Sequence, residues 1–330
     1  MLSAWLASAK AEEIIDPNLP IVDPHHHLWN RGGHTYRRTQ LLKDLAAGHH
    51  ATRTIYVECR SRYAEDAPLA FQPVGETCFV VSESASAEIG DRTVQPCAGI
   101  VAHADLTLGA ELEAVLDAHA AAAQSRLRGI RYSVAWDASP AIHAAYPTSP
   151  SLLARNDVRA GLRLLARRSL AFDAWLYFHQ LGDLCDMADA VPDLQIVLDH
   201  CGGPIGIGPY AGRRAEVFDQ RRKHITELAR RPNVAVKVGG LGMALSGFGF
   251  RKHARPPSST ELAAAWLPYA ETIIDLFGAD RAMFESNYPV DMSSGTYATI
   301  WNAFKRLAAD ASTAERTALF SETATRVYQL

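Results

Sequence analysis

Short apolar runs recur along the 330 residues, each followed by a longer stretch whose apolar positions fall three or four apart. The runs are PIVDPHH (20–26), RTIYVEC (53–59), PCAGIVAHA (96–104), RLRGIRYS (126–133), LAFDAWLYF (170–178), LQIVLDH (194–200), NVAVKVG (233–239) and RAMFESN (281–287). Several are rich in Val, Ile and Leu without clean polar alternation, the pattern of parallel strands covered on both faces. Between them, ELEAVLDAHAAAAQ puts Leu112, Val115 and Leu116 on one helical stripe, with His119 as a flank residue. DVRAGLRLLARRS reads as a second helix and ELAAAWLPYAETIIDLFG as a third, closing at Gly278. Eight strands alternating with helices predict a single-domain α/β fold, a (β/α)8 TIM barrel over residues 20–330, with 1–19 as an N-terminal extension. A doubly wound open sheet is the alternative, but no GxGxxG follows the first strand. Two long irregular stretches, 136–151 after strand 4 and 240–259 after strand 7, are expected to carry substrate recognition.

Composition narrows the partners. Lys plus Arg total 33 and Asp plus Glu 36, a net charge of -3 that gives no electrostatic reason to expect nucleic acid or an anionic membrane. The five cysteines contain no CxxC pair and are odd in number, which points to a reducing, cytoplasmic setting. The apolar start lacks a basic region and turns acidic at Glu12 and Glu13, so no signal peptide is read. The expected partner is a small molecule, and a homodimer is the ordinary oligomeric expectation.

The chemistry gathers at strand ends. Alternate strand residues share a face, so His25 and His27 are expected to point into the barrel mouth while His26 points away. An H-x-H of this kind can present two imidazoles to one ion, or one ring can cap a helix while the other packs in the core. Glu58, His103, Asp105, His179 and His200 stand at the ends of other strands, and a barrel metal site draws on several strands in this way. Among these His103 is expected to pack beneath a loop, and His34, His49 and His50 to be solvated, with His34 near a substrate at most. Trp29, Tyr132, Trp136, Trp175, Tyr177, Phe248 and Tyr288 are the aromatics nearest the expected site, some of them core.

Taken together, VDPHHHLW, LRGIRYS, LDHCGGP, VKVGGL, RAMFESNYPVD and ETATRVYQL resemble the amidohydrolase superfamily, over nearly the whole chain from residue 20. The branch is the one containing 2-pyrone-4,6-dicarboxylate and sugar lactonases and metal-dependent aromatic-acid decarboxylases. The resemblance implies that His25 and His27 are metal ligands, with His179 and His200 as a further ligand and a carbonyl polariser. The ion would be Zn²⁺ or Mn²⁺, although some lactonases of this branch work without one. It also implies that Arg131 binds a substrate carboxylate or carbonyl, unless it serves as an ion pair at the barrel rim. Lys237 and Glu58 are either substrate contacts or buried partners; Trp29, Tyr132 and Tyr288 are candidate substrate contacts.

Strand 8 departs from the family pattern. Where much of the family reads F-G-S-D-W-P, this chain has Phe284-Glu285-Ser286-Asn287-Tyr288-Pro289. Asn287 stands where the acid is expected, and an amide cannot act as a general base. Asp291 and Glu58 are the carboxylates that can reach the site instead, while Glu285 is expected to be structural. The expected activity is lactone hydrolysis, assisted by a metal or by histidine and arginine. A non-oxidative decarboxylase is the alternative, and a non-catalytic barrel that binds a small acid the second.

Overall fold

The computed structural model describes residues 2–144, 146 and 148–330. Eight parallel strands form the barrel: β1 (Pro20–His26), β2 (His50–Val57), β3 (Arg92–Ala102), β4 (Leu127–Ser133), β5 (Ala171–Trp175), β6 (Ile196–Leu198), β7 (Val234–Val238) and β8 (Ala282–Phe284). They are hydrogen-bonded in sequence order from β1 to β8, as the alternating pattern predicts, with helices between. Closure from β8 to β1 is slight. It consists of one bridge between His26 and Tyr288, the His27 N–H donating to the Tyr288 carbonyl at 2.8 Å, and Ser286 donating to Asp23 through its amide and hydroxyl.

The strand interiors are layered with a period of two. Ala171, Val197, Ala235 and Met283 form an apolar layer, sealed from the barrel's N-terminal end by Ala324, Val327 and Tyr328. Two residues further along the same strands come Asp173, Asp199, Lys237 and Glu285, all with no exposure. A charged layer therefore lies directly on an apolar one, and the barrel mouth opens above it.

Strands β6 and β8 are shorter than the sequence runs suggest. They stop at Leu198 and Phe284, and the chain turns through left-handed conformations at His200 (φ 53°) and Asn287 (φ 49°). Gly240 is required by a close approach: a Cβ there would lie 2.4 Å from the His200 ring.

The N-terminal segment lies against the barrel. Trp5 donates its indole N–H to the His253 carbonyl at 2.9 Å, and Glu12 accepts from the Ser259 amide at 2.7 Å. Among the described residues no helix is long and apolar enough to cross a membrane.

Candidate active site

The charged layer sets the geometry. Lys237 Nζ lies 2.6 Å from Asp173 Oδ2 and 3.1 Å from Asp199 Oδ1. Burial pushes Asp173 up to about 6 against the pull of Lys237, whereas at Asp199 burial is overcome by Lys237 and His25, and its carboxyl is held well below the usual range.

His25 projects into this layer. Its Nδ1 is 2.8 Å from Glu285 Oε2 and its Nε2 is 3.4 Å from Arg131 Nη1. Burial first, then the charge of Lys237, lowers its pKa. The other oxygen of Glu285 accepts from His200 Nδ1 at 2.7 Å. A carboxylate only accepts, so Nδ1 carries the proton, and Nε2 is the nitrogen left for chemistry. Burial opposes the His200 imidazolium, but the Glu285 charge and hydrogen bond outweigh it and raise its pKa.

Above the layer lies a cavity of about 530 Å³. Its lining includes His27, Arg131, Trp175, His200 and Asn287 from strand ends, Trp29 and Arg31 from the hairpin after β1, and Arg60 and Tyr146 from loops. Among the described residues the lining holds three arginines and no carboxylate. Arg131 is aimed by Glu58, which accepts from Nε at 2.7 Å and through its carbonyl from Nη2. Arg31 is held over the Trp29 ring at 4.6 Å and donates to the Cys59 carbonyl at 2.8 Å. Asn287 donates from Nδ2 to Asp291 Oδ1 at 2.9 Å, while its Oδ1 is buried without a hydrogen-bond partner among the described residues. Asn287 is a lining residue of the cavity, and that buried oxygen is an acceptor held just beneath its surface.

The structure sorts the residues singled out from sequence. His25, His27, His200, Arg131, Asn287 and Trp29 come together. His26 points away as expected, bonded to Thr54 at 2.8 Å. His179 does not join: its Nε2 is 2.9 Å from Asp137, which also accepts from Tyr210, because the chain turns into a short helix directly after β5. His27 keeps Nδ1 on the Val57 carbonyl at 2.8 Å and packs edge-on against His25 with ring centroids 4.9 Å apart, but it is not in the donor group formed by His25, His200 and Glu285.

Several expected substrate contacts lie behind the wall. Lys237 is enclosed in the charged layer, Tyr288 is buried and donates to the Gly295 carbonyl at 3.0 Å, and Tyr132 donates to Asp105 at 3.2 Å. Glu58 has one carboxylate oxygen on Arg131 and the other on the Tyr146 hydroxyl, so it positions two residues that line the cavity. Asp291 stands behind Asn287, also accepting from the Gly242 amide at 3.0 Å, and burial pushes it up to about 7. Trp136, Tyr177 and Phe248 do not line the cavity. His49, expected in solvent, is 1% exposed and bonded to the Ala298 carbonyl at 3.0 Å.

Asp173, Asp199, Arg31, Arg60 and Tyr146 were not singled out from sequence. The two aspartates had a signal, since each stands two residues beyond an apolar strand position. Tyr146 had only a general one: it lies in the irregular stretch 136–151 expected to carry substrate recognition, where no periodicity picks out single side chains.

The amidohydrolase family model matches residues 22–330. The chain belongs to the amidohydrolase family. The uncharacterized protein y4mH of Sinorhizobium fredii is 32% identical over 327 residues, covering 95% of this chain and 99% of its own. An L-fucono-1,5-lactonase of Burkholderia ambifaria is 26% identical over 295 residues, 84% of this chain and 82% of its own. Among solved structures, an amidohydrolase of Burkholderia multivorans with bound zinc superposes with a TM-score of 0.71. It is 22% identical, covering 94% of this chain and 99% of its own, a likeness of fold.

One group of metal-type donors comes together among the described residues: His25, His200 and Glu285, with ligand atoms within 4.8 Å of one another. Beside it, neither oxygen of the buried Asp199 has a partner in hydrogen-bond geometry. Two imidazoles with a carboxylate, beside the buried Asp199 carboxylate, suit Zn²⁺ or Mn²⁺.

Proposed function

We propose that this protein hydrolyses a lactone of a small organic acid. The observation that carries the reading is the lining of the cavity: three arginines, His200 and the acceptor Asn287 Oδ1 meet with no carboxylate among them. Such a space favours a substrate bearing a carboxylate and an ester carbonyl. The lactonase homologue supports the same chemistry.

Arg131 and Arg31 orient the carboxylate of the substrate. Asn287 Oδ1 accepts a hydrogen from the attacking water and aims its lone pair at the carbonyl carbon. Glu285 favours the imidazolium of His200 against burial, and in that form Nε2 donates to the carbonyl oxygen as charge develops. Water forms its bond to the carbonyl carbon and the ring C–O bond breaks. His200 Nε2 gives its proton to the departing ring oxygen and recovers one from the added water. His25, His200 and Glu285 are the residues that would hold an ion; with His200 as a neutral ligand, the ion in place of the imidazolium would polarise the carbonyl and acidify water.

A second reading is a non-oxidative decarboxylase, favoured by Asn287 itself, since that reaction requires no base for water. Purified protein is assayed with acidic and neutral five- and six-membered lactones, following acid release at constant pH. Turnover of acidic lactones, with KM raised at least about tenfold in Arg31→Ala for acidic but not neutral substrates, is expected. Release of CO₂ from hydroxybenzoates with no lactone turnover would establish the second reading in its place.

A further inference from the structure

A second cavity of about 580 Å³ adjoins the first, and the two share Arg60 and Tyr146 in their linings. Tyr146 is the dividing wall. Its ring stacks on His103 at 5.1 Å, Arg60 lies over it at 5.1 Å, and its hydroxyl is held by Glu58. The carboxylate that aims Arg131 into the first cavity therefore also sets the ring that borders the second.

The second cavity differs in chemistry. Pro68, Leu69, Ala70, Pro73 and Leu108 supply an apolar rim, and Asp105 and Glu111 supply negative charge. Leu69 is 82% exposed, which is unusual for a leucine beside a concave surface in this protein: among the described residues only one other large hydrophobic, Leu267, is exposed, at 39%. Arg60 borders both cavities, but the second adds Asp105 and Glu111 where the first adds Arg31 and Arg131, so an anionic group is favoured in the first. The joint space thus discriminates along its length.

We propose that the second cavity is a subsite for a neutral, largely apolar tail of the substrate, whose acidic head occupies the arginine-lined cavity. The inference rests on the reading of the first cavity as the site for an acidic lactone and names the substrate class as a tailed one. A tail of one aryl ring or a short alkyl chain reaches past Tyr146 to Leu69 and Leu108, where burial of its apolar surface adds affinity.

Binding, measured without turnover, tests it. Isothermal titration compares butanoate with 4-phenylbutanoate, which have the same head, for the wild type, Leu69→Asp and Ala70→Trp. Phenylbutanoate is expected to bind the wild type at least tenfold more tightly, about 1.4 kcal/mol. Both variants should lose that gain and retain the affinity for butanoate, which also shows that they are folded. Equal affinity of the two acids for the wild type, or a gain that survives in both variants, overturns the subsite. Failure of both acids to bind, together with absent lactone turnover, overturns the reading of the first cavity and the subsite with it; lactone turnover without a tail effect overturns the subsite alone.

Discussion

Lys237→Met removes the one cation that contacts both Asp173 and Asp199 among the described residues, and leaves both carboxylates at zero exposure. Methionine matches the aliphatic part of lysine, so little packing is lost. Asp199 keeps Arg131 Nη1 at 3.8 Å, but Asp173 is left buried without a counter-charge, and the folded variant must protonate it. Burial already pushes Asp173 up to about 6 with Lys237 in place, so it is the first to take a proton. Relative to the wild type, in which Asp173 already lies at about 6, holding it protonated at pH 7 adds about 1.4 kcal/mol, and the lost attraction of the buried pair comes on top. The variant should therefore lose about 3–5 kcal/mol of stability at pH 7, the range for breaking a buried pair by removing one partner. The sign with pH follows. In the variant the folded carboxyl has a raised pKa, so its penalty grows as pH rises and shrinks as it falls. Because Asp173 already lies at about 6 in the wild type, the wild type gains part of the same relief, and between pH 7 and pH 5 the difference should narrow by about 1.4 kcal/mol. Urea unfolding at both pH values measures it. A difference below about 1 kcal/mol at pH 7, or one unchanged at pH 5, would refute the argument that Lys237 acts as the counter-ion of the layer.

Asn287→Ala should lower kcat on an accepted lactone by about a hundredfold with a smaller change in KM, because the acceptor that aims water is lost; steady-state kinetics decide, and an unchanged kcat removes Asn287 from the mechanism. Protein loaded with Zn²⁺ or Mn²⁺ and desalted should retain metal, and Glu285→Gln should retain at least about tenfold less; elemental analysis reads this without any activity assay, and equal retention would place the ion elsewhere. Burial, with Lys305 nearby, lowers His49 to about 4, so its contribution to stability is present above pH 6.5 and is lost as pH falls toward 4. The wild type should lose stability over that window, by about 3 kcal/mol from this group, relative to His49→Gln. Parallel pH profiles for the two proteins would refute it.

The barrel was legible because the strand runs are short, rich in branched apolar residues and spaced by helical patterns, and all eight appear. His25, His27, His200 and Arg131 were legible for the same reason: a strand of known direction assigns its last residues to the mouth. What failed lies beyond the strand ends. His179 follows β5 by four residues, and there a turn, rather than the period of two, decides where a side chain points. Lys237 and Glu58 carry charge at strand positions, but sequence cannot tell whether a charged group faces substrate or another charge. The charged layer settles that by pairing them. Arg31, Arg60 and Tyr146 reach the cavity from a hairpin and loops, whose paths are set by tertiary contacts such as the Trp29–Arg31 stack and the Tyr146–Glu58 bond.

The slender join between β8 and β1 has a mechanical consequence. His27 and Trp29 stand on one side of that seam and Asn287 on the other, so a ligand touching both acts as a rivet across the least-bonded joint of the barrel. Occupancy then does more than fill a space: it lends tensile strength to the cylinder where the backbone supplies least, and the empty and filled proteins differ first in how readily the barrel unzips there.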